Sequence, residues 1–270
     1  MNKIHPTAIV SPLAKLGSNN IIGPYVIIED EVTIGSNNTI GPHAVLMGNT
    51  TIGDDNKIHS GAIIGDLPQD LSFKGQESYL IIRNNNQIRE HVTIHRGSKH
   101  LSKTSIGDNN LFMTASHIAH DCEVKNNVII ASGSLVSGYV KIEDNAFVSG
   151  NVVIHQFCRI GKLSMIGGGS RINMDIPPYM SAVGHSASIQ TINLVGLRRA
   201  NISLESRNDI KKAFKYLYRS HLSVSSALEL IKNECYSNEV RDLEIFIQNT
   251  KRGITKGSKT HKTEPDLCLT

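Results

Sequence analysis

The chain contains no tryptophan, and its aromatic residues amount to 5% of 270. That scarcity excludes a core built around large rings and leaves a narrow interior filled by branched aliphatic side chains. Cysteines are few, and Cys122, Cys158, Cys235 and Cys268 lack the paired spacing of zinc sites. They read as reduced, structural thiols, and no disulfide framework is expected. No apolar run approaches the roughly 20 residues needed to span a bilayer. The opening residues, MNKIHPTAIV, form no basic and apolar leader. A cytoplasmic protein without stable membrane insertion is therefore expected. The net charge of +4 is unevenly placed, with 14 Lys/Arg against 9 Asp/Glu in residues 198–270. This hints at an acidic partner for the C-terminal region, and a solvated helix face explains it about as well. No nucleic-acid partner is expected.

What the sequence does have is a period of six. From Ile4 it runs Val10, Leu16, Ile22, Ile28, Ile34, Ile40, Leu46, Ile52, Ile58 and Ile64. It resumes at Ile82, Ile88 and Ile94, and again from Ile106 through Ile118, Ile130, Ile142, Ile154 and Ile166 to Ile172. Two places before the anchor stands a small or β-branched residue (Ala8, Val26, Val32, Ala44, Ala62, Ala146), and Gly often follows it. Six residues rotate an α-helix by about 600°, so no helix keeps such a row on one face. A repeat this short means a solenoid whose rungs bury their aliphatic rows against one another. Three six-residue sides make a triangular coil of eighteen, and the span 4–176 holds close to ten, on the order expected of such arrays. The pattern resembles hexapeptide-repeat proteins, which implies an all-β solenoid, a left-handed parallel β-helix.

Residues 66–80 (DLPQDLSFKGQESYL) and 96–104 (RGSKHLSKT) interrupt the count and are polar. Loops leaving a regular face commonly carry binding residues, and a harmless bulge is an equal alternative. At Pro177-Pro178 the count stops. From about Ile189 the pattern turns helical. Ser206 is placed to cap a helix presenting Ile210, Ala213, Phe214, Leu217 and Tyr218. A second helix reads over 224–234 with Leu228, Leu230 and Ile231, and a third over 239–249 with Val240, Leu243, Ile245 and Phe246. Residues 253–270 read as a loose tail. The expected division is a β-helix domain over 1–186 and a small all-α domain over 187–270.

In a solenoid, residues eighteen apart lie one coil above another, about 4.8 Å away. Applied to SHIAHDC (116–122), this sets Gly138 over His120, Gln156 over Gly138, and Tyr139 over Asp121. His155 adjoins Gln156, and His117 precedes anchor Ile118 and points outward. Imidazoles, a carboxylate, an amide and a glycine therefore share one outer edge. An imidazole beside a carboxylate suits general-base work near neutral pH. A glycine one coil away offers an accessible N–H for an oxyanion. Acyl transfer fits; ordinary polar surface turns are the bland alternative. A zinc site drawn from His91, His95, His117, His120 and His155, as in the γ-class carbonic anhydrases of this architecture, ranks lower, because zinc wants three convergent imidazoles. Ser132, Gly150 and Gly168, with Thr114 below, form a column lacking bulk, either a groove for an alkyl chain or a tight packing surface.

The segments IHPTAIV (4–10), QDL (69–71), IREHVTIHRG (88–97), HIAHDC (117–122), VIHQFC (153–158), DIPPY (175–179) and GLRR (196–199) carry a more specific likeness. Up to about residue 253 the chain resembles the acyl-carrier-protein-dependent UDP-N-acetylglucosamine 3-O-acyltransferases that start lipid A synthesis. The resemblance implies transfer of a 3-hydroxyacyl group from the phosphopantetheine of acyl carrier protein to the sugar's 3-hydroxyl, with no resident cofactor or metal. It implies His120 as general base, Asp121 as its orienting neighbour and Gly138 as the oxyanion glycine. Gln69, Asp70, His117, Tyr139, His155 and Gln156 fall at positions lining the sugar and acyl-chain site. Asn193 and Arg199 match residues contributed near the nucleotide. Gly168 falls where the family varies a residue that limits acyl length, and glycine is similar to members accepting longer chains. A homotrimer with sites between prisms is implied. Two positions depart from the pattern: Tyr139 stands in place of a histidine, and Val195 in place of an acidic residue. A phenol is larger and uncharged near pH 7. A 3-amino sugar acceptor or a paralogue with weakened catalysis therefore remains an alternative. The related N-acyltransferases place a nucleotide-binding domain before the solenoid, whereas here the repeat starts at Ile4.

Overall fold

A computed structural model of the chain describes residues 1–258. Short strands, mostly of two residues, end on the anchors and fall in rotation into parallel sheets of eleven, nine and eight strands. The sheets are the sides of a triangular prism. Ile22 pairs with Ile40, Ile130 with Val148 and Ile154 with Ile172, each one coil apart. Every anchor from Ile22 to Ile172 is at most 2% exposed. Val26, Val32, Ala44, Ala62 and Ala146 are buried at the inner corners, where little room is left beside the anchors. Ile4, in the first coil, is covered from one side and remains exposed.

Both interruptions leave from one edge, where the nine-stranded sheet gives way to the eight-stranded one. Ile64 pairs with Leu46, eighteen residues back, and with Ile94, thirty residues on. The first insertion therefore adds about twelve residues to a coil. Ile94 pairs with Ile118, twenty-four residues on, so the second adds about six. Tyr79–Ile82 and Lys103–Ile106 are strands. Leu80 and Thr104, assigned to the loops from sequence, are buried within them.

A column of asparagines fills part of one of these inner corners. The amide of Asn38 donates to Asn20 Oδ1 (2.8 Å), that of Asn56 to Asn38 Oδ1 (2.8 Å), and that of Asn86 to Asn56 Oδ1 (2.9 Å). Asn110 continues the column to Val128. All of these asparagines are buried, so each carboxamide satisfies a backbone N–H that the bent chain leaves unpaired. At the same corner, one residue before each buried position, Asn19, Asn37, Asp55, Asn85, Asn109, Asn127 and Asn145 take positive φ. Asn and Asp bear that conformation more readily than other residues with a side chain.

The diproline does not end the sheet. Ile160 bridges Ile176 and Ile166 pairs with Ala182, a step of sixteen instead of eighteen. Met180–Val183 extends the eleven-stranded sheet and Ser188–Ile192 returns antiparallel to it. The helical region therefore begins later than Ile189, which is buried against this sheet. Four helices follow: α1 (Leu194–Arg199), α2 (Leu204–Tyr218), α3 (Val224–Glu234) and α4 (Asn238–Gln248). Ser203, not Ser206, caps α2: its hydroxyl accepts from the Ser206 amide. In α3, Ala227 and Ile231 are buried, and in α4 Ile247 is buried while Ile245 faces outward. The segment after Gly253 is not loose: Ile254 bridges Asp175 and Gly257 bridges Ile189. The remainder of the expected tail, with Cys268, lies outside the described residues.

Asn56→Val should cost on the order of 2–4 kcal/mol, because the Asn86 amide and the Arg83 carbonyl lose buried partners. Chemical denaturation measures this; a loss below about 1 kcal/mol would remove the column from its structural role.

Candidate active site

His117–Ile118 ends the nine-stranded sheet's contribution to one coil, and Glu123–Val124 opens the next side. Between them the chain turns sharply at Asp121, whose φ of 58° is left-handed. The same corner one and two coils on carries Tyr139 (φ 62°) and Phe157 (φ 64°). For such residues this conformation costs roughly 1–2 kcal/mol each. The turn puts His120 at the edge with only 6% of its surface exposed.

His120 Nδ1 lies 2.8 Å from Asp121 Oδ2, and Nε2 lies 3.9 Å from Asp70 Oδ2. Asp70 reaches this point from the first loop, where the Ser72 amide donates to its other oxygen (2.9 Å). That hydrogen bond is the main reason its carboxyl is held below the usual range. Burial alone would push the Asp121 carboxyl up, but hydrogen bonds from His120, Ser102 and Ser98 outweigh it and hold the group down to about 2. Asp121 is thus ionised and can only accept. Nδ1 of His120 must carry the proton at this contact, which leaves the Nε2 lone pair free in the neutral ring.

The coil above closes directly on that ring. A Cβ on Gly138 would lie 2.5 Å from His120 Cε1 and 2.7 Å from Nε2, so only glycine fits. The amides of Ser137 and Tyr139 donate to Ile154 (3.1 Å) and His120 (3.0 Å) carbonyls, whereas the Gly138 N–H has no partner among the described residues. Tyr139 meets the His120 ring edge-on (5.2 Å) and stacks on Phe157 (4.8 Å). Its hydroxyl is 3.0 Å from Ser98 Oγ, which in turn is 2.7 Å from Asp121 Oδ2.

Beside the dyad lies a neutral pair. His117 Nδ1 is 2.6 Å from Thr93 Oγ1, and its ring meets that of His95 edge-on at 4.8 Å. Burial, reinforced by the neighbouring imidazoles, pushes His117 down to about 4. His95 is also lowered, chiefly by burial, and its Nδ1 is buried with no partner among the described residues. The sequence placed His95 only among possible metal ligands. Among the described residues no three His, Cys, Asp or Glu side chains are arranged to hold a metal ion.

The other expected site residues separate. Gln69, His155 and Gln156 are exposed on the same edge, with His155 Nδ1 donating to the Gln156 carbonyl (3.1 Å). Gly168 sits at the next edge of the prism, between Met165–Ile166 and Arg171–Ile172. Asn193 lies at the third, where its side chain caps α1 through the Gly196 amide (3.0 Å) and donates to the Leu163 carbonyl (2.9 Å). Arg199, at the end of α1, is exposed. A single chain therefore does not bring Gly168, Asn193 or Arg199 to His120. Ser98 is the residue that motif reading passed over, although it lies in the second polar loop.

A prism of hexapeptide coils with an imidazole–carboxylate pair on its edge defines a hexapeptide-repeat transferase. The six-repeat hexapeptide model of bacterial transferases matches residues 13–48, 31–66 and 103–138. The model of the second domain of UDP-N-acetylglucosamine O-acyltransferase matches residues 175–255. An acyl-(acyl-carrier-protein)–UDP-N-acetylglucosamine O-acyltransferase from Aliarcobacter butzleri is 48% identical, over 94% of this chain and 98% of that protein. The Ectopseudomonas mendocina enzyme of that name is 45% identical over 95% and 100%. A crystal structure of UDP-N-acetylglucosamine acyltransferase from Bacteroides fragilis superposes with a TM-score of 0.92 at 43% identity, covering 94% of this chain and 100% of that one. The chain belongs to the family of acyl-(acyl-carrier-protein)–UDP-N-acetylglucosamine O-acyltransferases.

The state of His117 sets a pH dependence. The unfolded chain takes up this proton near pH 6.5, the folded chain only near 4. The stability tied to the neutral ring is complete above about 6.5 and declines as pH falls toward 4. Denaturation curves between pH 7 and 4 should show a shallower decline for His117→Gln than for the wild type. Parallel declines would contradict the assignment.

Proposed function

We propose that this enzyme moves a 3-hydroxyacyl chain from acyl carrier protein to the 3-hydroxyl of UDP-N-acetylglucosamine, the first step of lipid A biosynthesis. The observation that carries this reading is the close approach of Gly138, whose N–H is unpaired among the described residues, to a His120 ring oriented by Asp121. His120 Nε2 takes the proton of the sugar hydroxyl as its oxygen bonds to the thioester carbon. The carbonyl oxygen gains the negative charge and lies against the Gly138 N–H. Collapse breaks the C–S bond, and the imidazolium returns its proton to the departing phosphopantetheine sulfur. The ionised Asp121 and Asp70 flank the ring and stabilise its charged form between these steps. The donor thiol arrives on the carrier protein, so the sequence of steps calls for no resident cofactor.

Sites shared between three prisms account for the scatter of Gly168, Asn193 and Arg199 over other edges. One chain's His120 edge would face a neighbour's complementary edge, enclosing a cleft that a lone convex edge lacks. A Cβ on Gly168 would meet nothing closer than 3.5 Å within its own chain, so the fold does not itself demand glycine there. An acyl chain passing alongside is a reason for it. Among the described residues no helix is long and apolar enough to cross a membrane, which supports work in the cytoplasm beside carrier protein and nucleotide sugar. Tyr139 leaves the His120–Asp121 contact intact, which argues against a catalytically weakened paralogue.

His120→Ala should lower acyl transfer by roughly 10²–10⁴-fold while the protein stays folded; retention of more than about a tenth of the activity excludes the base. Gly168→Met should shift preference toward shorter acyl chains in competition between hydroxyacyl carrier proteins. Unchanged selectivity would refute the groove.

A further inference from the structure

We propose that Ser98 is a positioning residue that couples the Tyr139 hydroxyl to Asp121 and thereby fixes the orientation and basicity of the His120 ring. This rests on the reading of His120 as the base. Ser98 is 1% exposed and offers both of its donors to one oxygen: its amide lies 3.0 Å and its hydroxyl 2.7 Å from Asp121 Oδ2. The same Oδ2 accepts from His120 Nδ1. A carboxylate cannot donate, so the single Ser98 hydroxyl proton is committed to Asp121. The oxygen of Ser98 must then accept from Tyr139, 3.0 Å away. The direction of the whole chain follows: Tyr139 to Ser98, Ser98 to Asp121, His120 to Asp121.

The second insertion is built to hold this serine. The Gly97 amide donates to the Tyr79 carbonyl (3.0 Å) and the Leu101 amide to the Glu77 carbonyl (2.8 Å), while Gln76 Nε2 donates to the carbonyl of Ser98 itself. Tyr139 is fixed as firmly, stacked on Phe157 with the Lys99 ammonium 5.2 Å over its ring. Hydrogen bonds that polarise one another in series strengthen in a dry site. Ser98 draws charge from Asp121 Oδ2 and so tempers the pull of that oxygen on the imidazolium. The other groups facing the ring are Asp70 from the first loop, which favours its charge, and the neutral imidazoles of His117 on the same coil and His95 on the coil before.

Ser98→Ala should therefore move the titration midpoint of His120 upward by about 0.5 pH unit. Tyr139→Phe should move it less, in the same direction, and Ser98→Thr should leave it near the wild-type value. NMR of the ring, assigned with His120→Ala, reads this without turnover, and the acid limb of kcat/KM should move with it. A loss of about tenfold in kcat/KM should accompany Ser98→Ala. An unmoved or lowered midpoint in folded Ser98→Ala overturns the proposal, and if that variant does not fold, Tyr139→Phe decides it by the same criterion. Absence of acyl transfer by the wild-type protein would instead defeat the enzymatic reading, since the ring titration is measured independently.

Discussion

The hydrogen-bonded contact between one coil and the next governs this molecule. Backbone pairing fixes neighbouring coils at the spacing of adjacent strands, and the aliphatic anchors lock the register because a slip of one residue would turn a buried row outward. The asparagine column repeats that instruction in polar form. Its members hydrogen-bond only when each carboxamide meets the amide directly above. A geometry this constrained leaves little freedom to groups seated on it. His120 and Gly138 are brought together by pairing of the scaffold, with no dependence on a mobile loop.

Loops nevertheless complete the site, and both emerge at the edge that needs them. The first supplies Asp70 to the exposed nitrogen of His120, and the second supplies Ser98 to the buried side of Asp121. The electrostatics divide accordingly. His120 has a carboxylate at each nitrogen, while His117 and His95, a few ångströms away, are desolvated and held neutral. Charge created on the reacting imidazole is thus welcome at one ring and resisted at its neighbours.

Much of this was legible in the chain itself. The six-residue period dictated the prism, and addition of eighteen located Gly138 over His120 and Tyr139 over Asp121 before any coordinates. That rule works because only identical coils intervene between those residues. It fails across insertions, and so Ser98, separated from Asp121 by a loop of irregular length, was invisible to it. It also says nothing of the other edges, and Asn193, which the family likeness placed at the nucleotide, caps α1 within its own chain. The shift of the α2 cap to Ser203 rests on a local hydrogen bond from the Ser206 amide that an apolar pattern does not register, while the exchange of Ile245 for Ile247 in α4 reflects packing that a single-helix pattern does not contain. The strand at Ser188–Ile192 was missed because it forms an antiparallel hairpin with Met180–Val183, which lies outside the six-residue period.

The cysteines give the site a chemical selectivity of their own. Cys122 follows Asp121 directly, yet its sulfur turns into the prism, donates to the Ser137 carbonyl, and is pushed up to about 12 by burial. Cys158 and Cys235 are buried as well, each pushed up to about 11. Thioesters exchange readily with thiolates and hardly at all with protonated sulfur. An activated acyl group delivered to this edge is therefore shielded from capture by these three side chains, and transfer to oxygen has no competing path through them.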